Sequence, residues 1–159
     1  MLFRCQIYNQ GEHMVRIAIA SVVGLLLLCS GAMAETLIKE SEAKLPPSAA
    51  SITTRSITRG PGIRVISPDA ATPQITSPFT LHIAFEPRGG SKIDLSSIRL
   101  TYLKSPSIEL LDRVRKGLSE QGIEVASAEV PPGDHQIRVT VQDSEGRQSN
   151  TVINLSVVK

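Results

Sequence analysis

Tryptophan is absent from this 159-residue chain, and the three aromatic types together make up 3% of it. Exposed aromatic platforms on which bases or sugars stack are therefore scarce. Charge of one sign is scarce too. Seventeen Lys and Arg against 15 Asp and Glu leave a net +2, too little for a nucleic-acid or anionic-membrane surface. Cysteine occurs twice, at Cys5 and Cys29, both near the N-terminus. No Gly-rich phosphate loop precedes a helix and no Gly-x-Ser-x-Gly elbow occurs, which removes the usual nucleotide and serine-hydrolase signatures.

What is present begins with an export pattern. Arg16 precedes an apolar run from Ile17 to Leu28, and a short segment then ends in Ala32-Met33-Ala34. A positive charge, an apolar core and an A-x-A site make a secretory signal peptide over 1–34, cut between Ala34 and Glu35. The run of about 12 apolar residues is short of the ~20 that span a bilayer. Acylation at Cys29 is the alternative, giving a lipid-anchored protein, but Leu28 stands where that motif usually has a small residue. Met14 directly precedes the charged region, so translation starting there would give a compact signal. Cleavage removes Cys5, Cys29, Arg4, Arg16 and Glu12, leaving a chain of net charge +1 with no disulfide and no thiolate site. A periplasmic or secreted location, with no stable span after cleavage, is expected.

Residues 35–60 lack a sustained apolar period and contain Pro46-Pro47 and the echo Ser51-Ile-Thr-Thr-Arg55, Ser56-Ile-Thr-Arg59. Such a composition buries too little to offset its backbone entropy. A flexible leader is expected, with addition as a strand to a partner's sheet as its functional alternative.

From Pro61 the apolar period becomes two. Ile63 and Val65 begin it. Phe79, Leu81, Ile83 and Phe85 share one face, with Thr80, His82 and Ala84 on the other. Ile98, Leu100 and Tyr102 repeat the pattern. A weaker strand covers 123–129. Ile137, Val139 and Val141 follow, then Thr151, Ile153, Leu155 and Val157. Turns are marked at Glu86-Pro-Arg-Gly-Gly90, Pro131-Pro132-Gly133 and Asp143-Ser-Glu-Gly146. Between strands, Ile108, Leu111, Val114 and Leu118 stand at helical spacing after Ser105-Pro106, with Glu109–Arg113 and Asp112–Lys116 one turn apart and Gly122 as a stop. A helix over about 106–121 is expected. The whole reads as an all-β, antiparallel sandwich over 61–159 with one inserted α-helix.

The stretch Pro131-Pro-Gly133-Asp-His135, then Ile137, Val139, Val141, Asp143, Gly146 and Ser149, resembles the last hairpin of secreted bacterial immunoglobulin-like (fibronectin III-like) domains. The resemblance implies an immunoglobulin-like β-sandwich whose Asp and Gly shape the final turn. It departs from the family at Arg147, where Asn is frequent, and in the helical insertion. It marks a fold and leaves the activity open.

The remaining chemistry is thin. In the mature chain the histidines are His82, on the non-core face of its strand, and His135, beside Asp134. Neighbours in a strand point to opposite faces, so Asp134–His135 makes no catalytic pair. Two distant histidines do not suit zinc. Asp143 and Glu145, with Asp134 or Asp94, offer oxygen ligands for calcium but lack a dedicated loop's spacing. Arg55, Arg59 and Arg64 put positive charge around the leader without interleaved aromatics, which argues against nucleic acid. No catalytic, cofactor or metal residues are assigned. The expectation is a non-catalytic periplasmic module that binds or scaffolds another envelope protein or a cell-wall component. A small ligand- or calcium-binding protein is the alternative, and a hydrolase using His82 or His135 a weaker one.

Overall fold

A computed structural model describes residues 34–48, 59–69 and 74–159. The charged and apolar regions of the expected signal peptide, and residues 49–58 of the expected leader, lie outside them. The strands are β1 (Glu35–Thr36), β2 (Gly62–Ser67), β3 (Ile75–Thr76), β4 (Phe79–Glu86), β5 (Ile93–Tyr102), β6 (Ile108–Glu109), β7 (Leu118–Ser119), β8 (Gly122–Glu129), β9 (Gly133–Asp143) and β10 (Gln148–Val158). A four-residue helix, α1 (Glu40–Ala43), follows β1.

Two sheets form, one in the order β1-β8-β4-β2 with β7 also on β8, the other β3-β10-β9-β5-β6. The alternating residues meet between them. Leu81, Ile83 and Phe85 of β4 and Ile123 and Val125 of β8 are buried opposite Ile98, Leu100, Tyr102, Ile137, Val139, Val141, Ile153, Leu155 and Val157. The long pairings are antiparallel as expected. The sheets are nevertheless mixed, because β1 runs parallel to β8 and β3 parallel to β10.

Three register shifts explain where the alternation weakens. In β8 an extra residue lies between the pairings Phe79–Ala128 and Leu81–Val125, which turns both Val125 and Ala128 inward. An extra residue in β2 throws Ile66 out to 48% exposure. In β5 the chain bulges between Asp94 and Arg99. There Ser96 donates from its backbone and hydroxyl to Asp94 Oδ1, and the Ser97 hydroxyl donates to the Asp94 carbonyl.

Two expectations are corrected. The segment 106–121 is no helix. After the cis Ser105–Pro106 peptide the chain pairs with β5 as β6, makes two 3₁₀ turns at Leu111–Arg113 and Arg115–Gly117, and rejoins β8 as β7. Leu110 and Val114 are its fully buried residues. The anticipated helical ion pairs do not form: Glu109 accepts from the Leu100 amide at 2.8 Å, and Asp112 pairs with Arg115. Burying Leu110 and Val114 at the end of the sandwich and extending the β5 edge outweigh a weak local helix preference. Gly117 also packs so close to the Glu124 carbonyl that a Cβ would lie 1.7 Å from it.

The expected leader is likewise built into the fold over Glu35–Ser48. Leu37 and Ile38 are each 1% exposed within the core. The Leu37 amide donates to Glu129 O at 2.9 Å, Ser105 N to Pro46 O at 2.9 Å, and Lys104 Nζ to Ala43 O at 3.0 Å. Its first residues, Glu35–Thr36, add as a strand to the chain's own sheet beside β8. Two adjacent apolar residues carry no periodic signal, so only tertiary packing shows their role. Leu37→Ala is expected to lower unfolding free energy by about 2–4 kcal/mol. A shift in denaturant midpoint with unchanged slope measures it, and an unaltered midpoint would restore the free-leader reading.

Candidate functional site

At the edge of the sandwich where β1 and β10 end, an open cleft of about 500 Å³ lies among Ile38, Lys39, Ser77, Glu129, Pro131 and Pro132. Its walls are fixed by side-chain bonds. Ser77 Oγ accepts from the Val130 amide at 3.0 Å, and Thr36 Oγ1 donates to Glu129 at 3.3 Å. Apolar floor and a few polar groups are the usual composition of a small-ligand or peptide cleft.

Behind this wall lies a buried polar pair. His135 is 3% exposed and Tyr102 fully buried. His135 Nε2 is 2.8 Å from the Pro131 carbonyl and Nδ1 is 2.8 Å from the Tyr102 hydroxyl. A carbonyl only accepts, so Nε2 carries the proton and Nδ1 accepts from the phenol. Burial pushes His135 below the ordinary histidine range, with Lys104 adding to this and the Pro131 carbonyl and Asp134 opposing it. Tyr102 is pushed up to about 12, chiefly by burial and further by the charge on Glu42. Lys104 Nζ stands 5.5 Å from the Tyr102 ring centroid, a cation–π distance. Both imidazole nitrogens are committed, so this pair acts as a strut for the Pro131–Pro132 wall.

A second, half-buried pair ties the N-terminal segment down. Arg113 donates to both Glu42 oxygens, at 2.7 and 2.5 Å, and to the Leu37 carbonyl at 2.8 Å. The fork geometry suits guanidinium and carboxylate. Arg113 holds Glu42 at about 2, helped by the Lys39 amide and opposed by burial. Arg113 was expected to meet Glu109; it reaches across the sequence instead.

The other sequence-derived residues do not converge. Ala34 is exposed and Glu35 opens β1. His82 is half-buried opposite Glu124 on the outer face of its sheet, beside a second shallow cleft of about 410 Å³ that also involves Lys116 and Gln121. His135 faces the interior from the other sheet. Asp134 accepts from Ser156 Oγ at 2.7 Å, on the side away from His135. Asp143 has no exposed side-chain surface. Its Oδ1 accepts from the Glu145 and Arg147 amides and Oδ2 from Arg147 Nε and Ser91 Oγ. Burial raises its pKa, but these bonds outweigh it and the net direction is down. Gly146, at φ 80°, supplies the left-handed turn position. Asp94 is engaged with Ser96, Glu145 shares Arg147 with Asp143, and no group of three or more His, Cys, Asp or Glu among the described residues is arranged to hold a metal. Arg64 pairs with Glu86, Arg59 is exposed, and Arg55 lies outside the described residues.

No protein-family model matches the chain, and no curated protein matches it significantly. Its chemistry is read from the site alone. Sequence reasoning missed both the buried Tyr102–His135 pair and the half-buried Glu42–Arg113 pair. The signal available for one was Tyr102 itself, an inward tyrosine whose hydroxyl needs a partner.

Two pH-dependent outcomes follow. Glu42 is held below its ordinary 4.5, at about 2, so its stabilisation is complete above 4.5 and is lost as pH falls toward 2. Glu42→Gln should destabilise the chain at neutral pH by about 1–3 kcal/mol and converge with the parent near pH 2. Urea unfolding across pH checks this, and a gap independent of pH would reject the ion pair as its source. Tyr102→Phe strands His135 Nδ1 without a donor and is expected to destabilise by about 1–3 kcal/mol. Burial disfavours the charged imidazole, so the parent's stability is complete above the ordinary histidine range and falls as pH drops through the lowered folded value. A His135→Gln chain with the same acid sensitivity across that window would sink this assignment.

Proposed function

We infer that this chain is a non-catalytic, exported immunoglobulin-like module that binds or scaffolds another envelope component. The observation that carries the reading is the use of its buried and half-buried reactive groups. His135, Tyr102, Asp143, Glu42 and Arg113 all have their polar atoms bonded within the fold, so the sandwich employs them as struts. The capacity that is left lies in open surfaces, namely the two clefts and the outer sheet faces.

Three features support the finer parts of the proposal. The order β2-β4-β8 against β5-β9-β10, with β3 running parallel to β10, suits an immunoglobulin-like arrangement. Asp143 and Gly146 take the turn roles that the resemblance implies. The strand β1 opens at Glu35, the residue that follows the Ala32-Met33-Ala34 site in the sequence. Among the described residues no helix is long and apolar enough to cross a membrane.

Expression of the full chain in a Gram-negative host, with N-terminal sequencing of the periplasmic fraction, tests export. The expected mature terminus is Glu35, and an uncut chain retained in the cytoplasm would overturn the proposal. In-cell photocrosslinking from the cleft residue Lys39 tests the binding role. Crosslinks to one envelope component that survive His82→Gln and His135→Gln support it, whereas loss of a turnover activity in those variants would argue for catalysis.

A further inference from the structure

The outer face of the β3-β10-β9-β5-β6 sheet carries a pattern that the struts and clefts do not use. The register aligns Arg99, Thr140 and Asn150 in one row across β5, β9 and β10. The next row holds Thr101, Arg138 and Val152, and beyond it stand Gln136 and Asn154. These residues alternate with the buried Leu100, Ile137, Val139, Val141, Ile153 and Leu155, so they share the outward side. Arg99 and Arg138 are diagonal neighbours on adjacent strands, about 7–8 Å apart at the backbone.

Both arginines lack an ion-pair partner among the described residues, although acids stand nearby. Glu109 is committed to the Leu100 amide and lies 3.4 Å from the Thr101 hydroxyl. Asp134 accepts from Ser156. The centre of the face is thus left with two free guanidinium groups flanked by hydroxyls and amides, each able to donate and accept. Val152 is its apolar member. A peptide partner draws most of its affinity from aromatic or aliphatic anchors seated in pockets, and a flat face with one valine gives little of that. Flat rows of Thr, Asn and Gln suit ring hydroxyls, and guanidinium forks suit carboxylates bidentately.

We propose that this face binds a linear polysaccharide bearing carboxylates, of the uronic-acid type, with Arg99 and Arg138 gripping its acid groups and the Thr101, Thr140 and Asn150 side chains its hydroxyls. The proposal rests on the binding-module reading and names its surface and partner chemistry. It also accounts for carbohydrate recognition without exposed aromatics, since charge-assisted bonds replace stacking.

The chain purified from the periplasmic fraction is tested by affinity electrophoresis in gels containing polygalacturonate, neutral dextran or poly-glutamate. Retardation by polygalacturonate and none by dextran is expected, weakening with added salt as surface charge is screened. Arg99→Gln with Arg138→Gln should reduce the affinity roughly ten-fold or more, and each single change less. Both side chains project from the sheet, so an unchanged melting temperature shows that the variants fold. Equal retardation of parent and double variant, or no retardation of the parent, overturns the proposal. Stronger retardation by poly-glutamate than by polygalacturonate assigns the face to an acidic peptide and overturns it too. Loss of this proposal with Lys39 crosslinks intact leaves the general binding role standing, whereas cytoplasmic retention removes that role independently.

Discussion

Two sheets joined with no cysteine in either must be held by the exclusion of water from the space between them. That space is filled almost entirely by aliphatic side chains, with Ile83, Ile98, Leu100, Ile123, Ile137, Val139 and Val141 at 0% exposure. Each buried side chain of this size contributes about 1.5–3 kcal/mol, and the close packing of branched groups fixes the register of every long strand. Everything else in the molecule is arranged around keeping this layer closed. The bulge in β8 adjusts it, turning Ala128 inward where strict alternation would bury Ser127, whereas those in β2 and β5 leave Ile66 and Leu95 exposed.

Closure at the sandwich end draws on residues far apart in sequence. Leu37 and Ile38 arrive from the N-terminal segment, Leu110 and Val114 from the β5–β8 connection, and Glu42–Arg113 joins the two pieces. A polar group admitted to such an interior must find its partners there, because an unmet donor or acceptor loses its hydration without return. No buried side-chain polar atom among the described residues lacks one. Tyr102 and His135 satisfy each other and Pro131; Asp143 gathers four donors at the last hairpin turn.

The same economy shapes the functional reading. His135, Tyr102, Asp143, Glu42 and Arg113 are each held by hydrogen bonds within the fold. Under the proposed binding role, recognition falls to the outside, where mixed polar rows and open clefts are presented by the sheets. A sheet face holds its side chains at fixed spacings, which suits a partner that is itself repetitive and extended.

Much of this was legible in the linear sequence. Period-two alternation in 79–85, 98–102, 137–141 and 151–157 identified the principal inward residues, because burial on one face of a pleated strand demands it. Asp143 and Gly146 declared their turn, since only short-range geometry is involved. The segment 106–121 misled because Ile108, Leu111, Val114 and Leu118 also satisfy a helical stripe, and local spacing does not reveal an available sheet edge. Residues 35–48 misled for the opposite reason: Leu37 and Ile38 have no period, and their burial depends on β8 and the distant Arg113. Likewise neither the Tyr102–His135 bond nor the Arg99–Arg138 juxtaposition is written in any local pattern. Strand identity and turn chemistry were determined by the sequence itself, as near-neighbour properties. Which segments close the core, and which side chains share a surface, were decided by tertiary structure, because those contacts join residues whose separation in the chain carries no information about their distance in space.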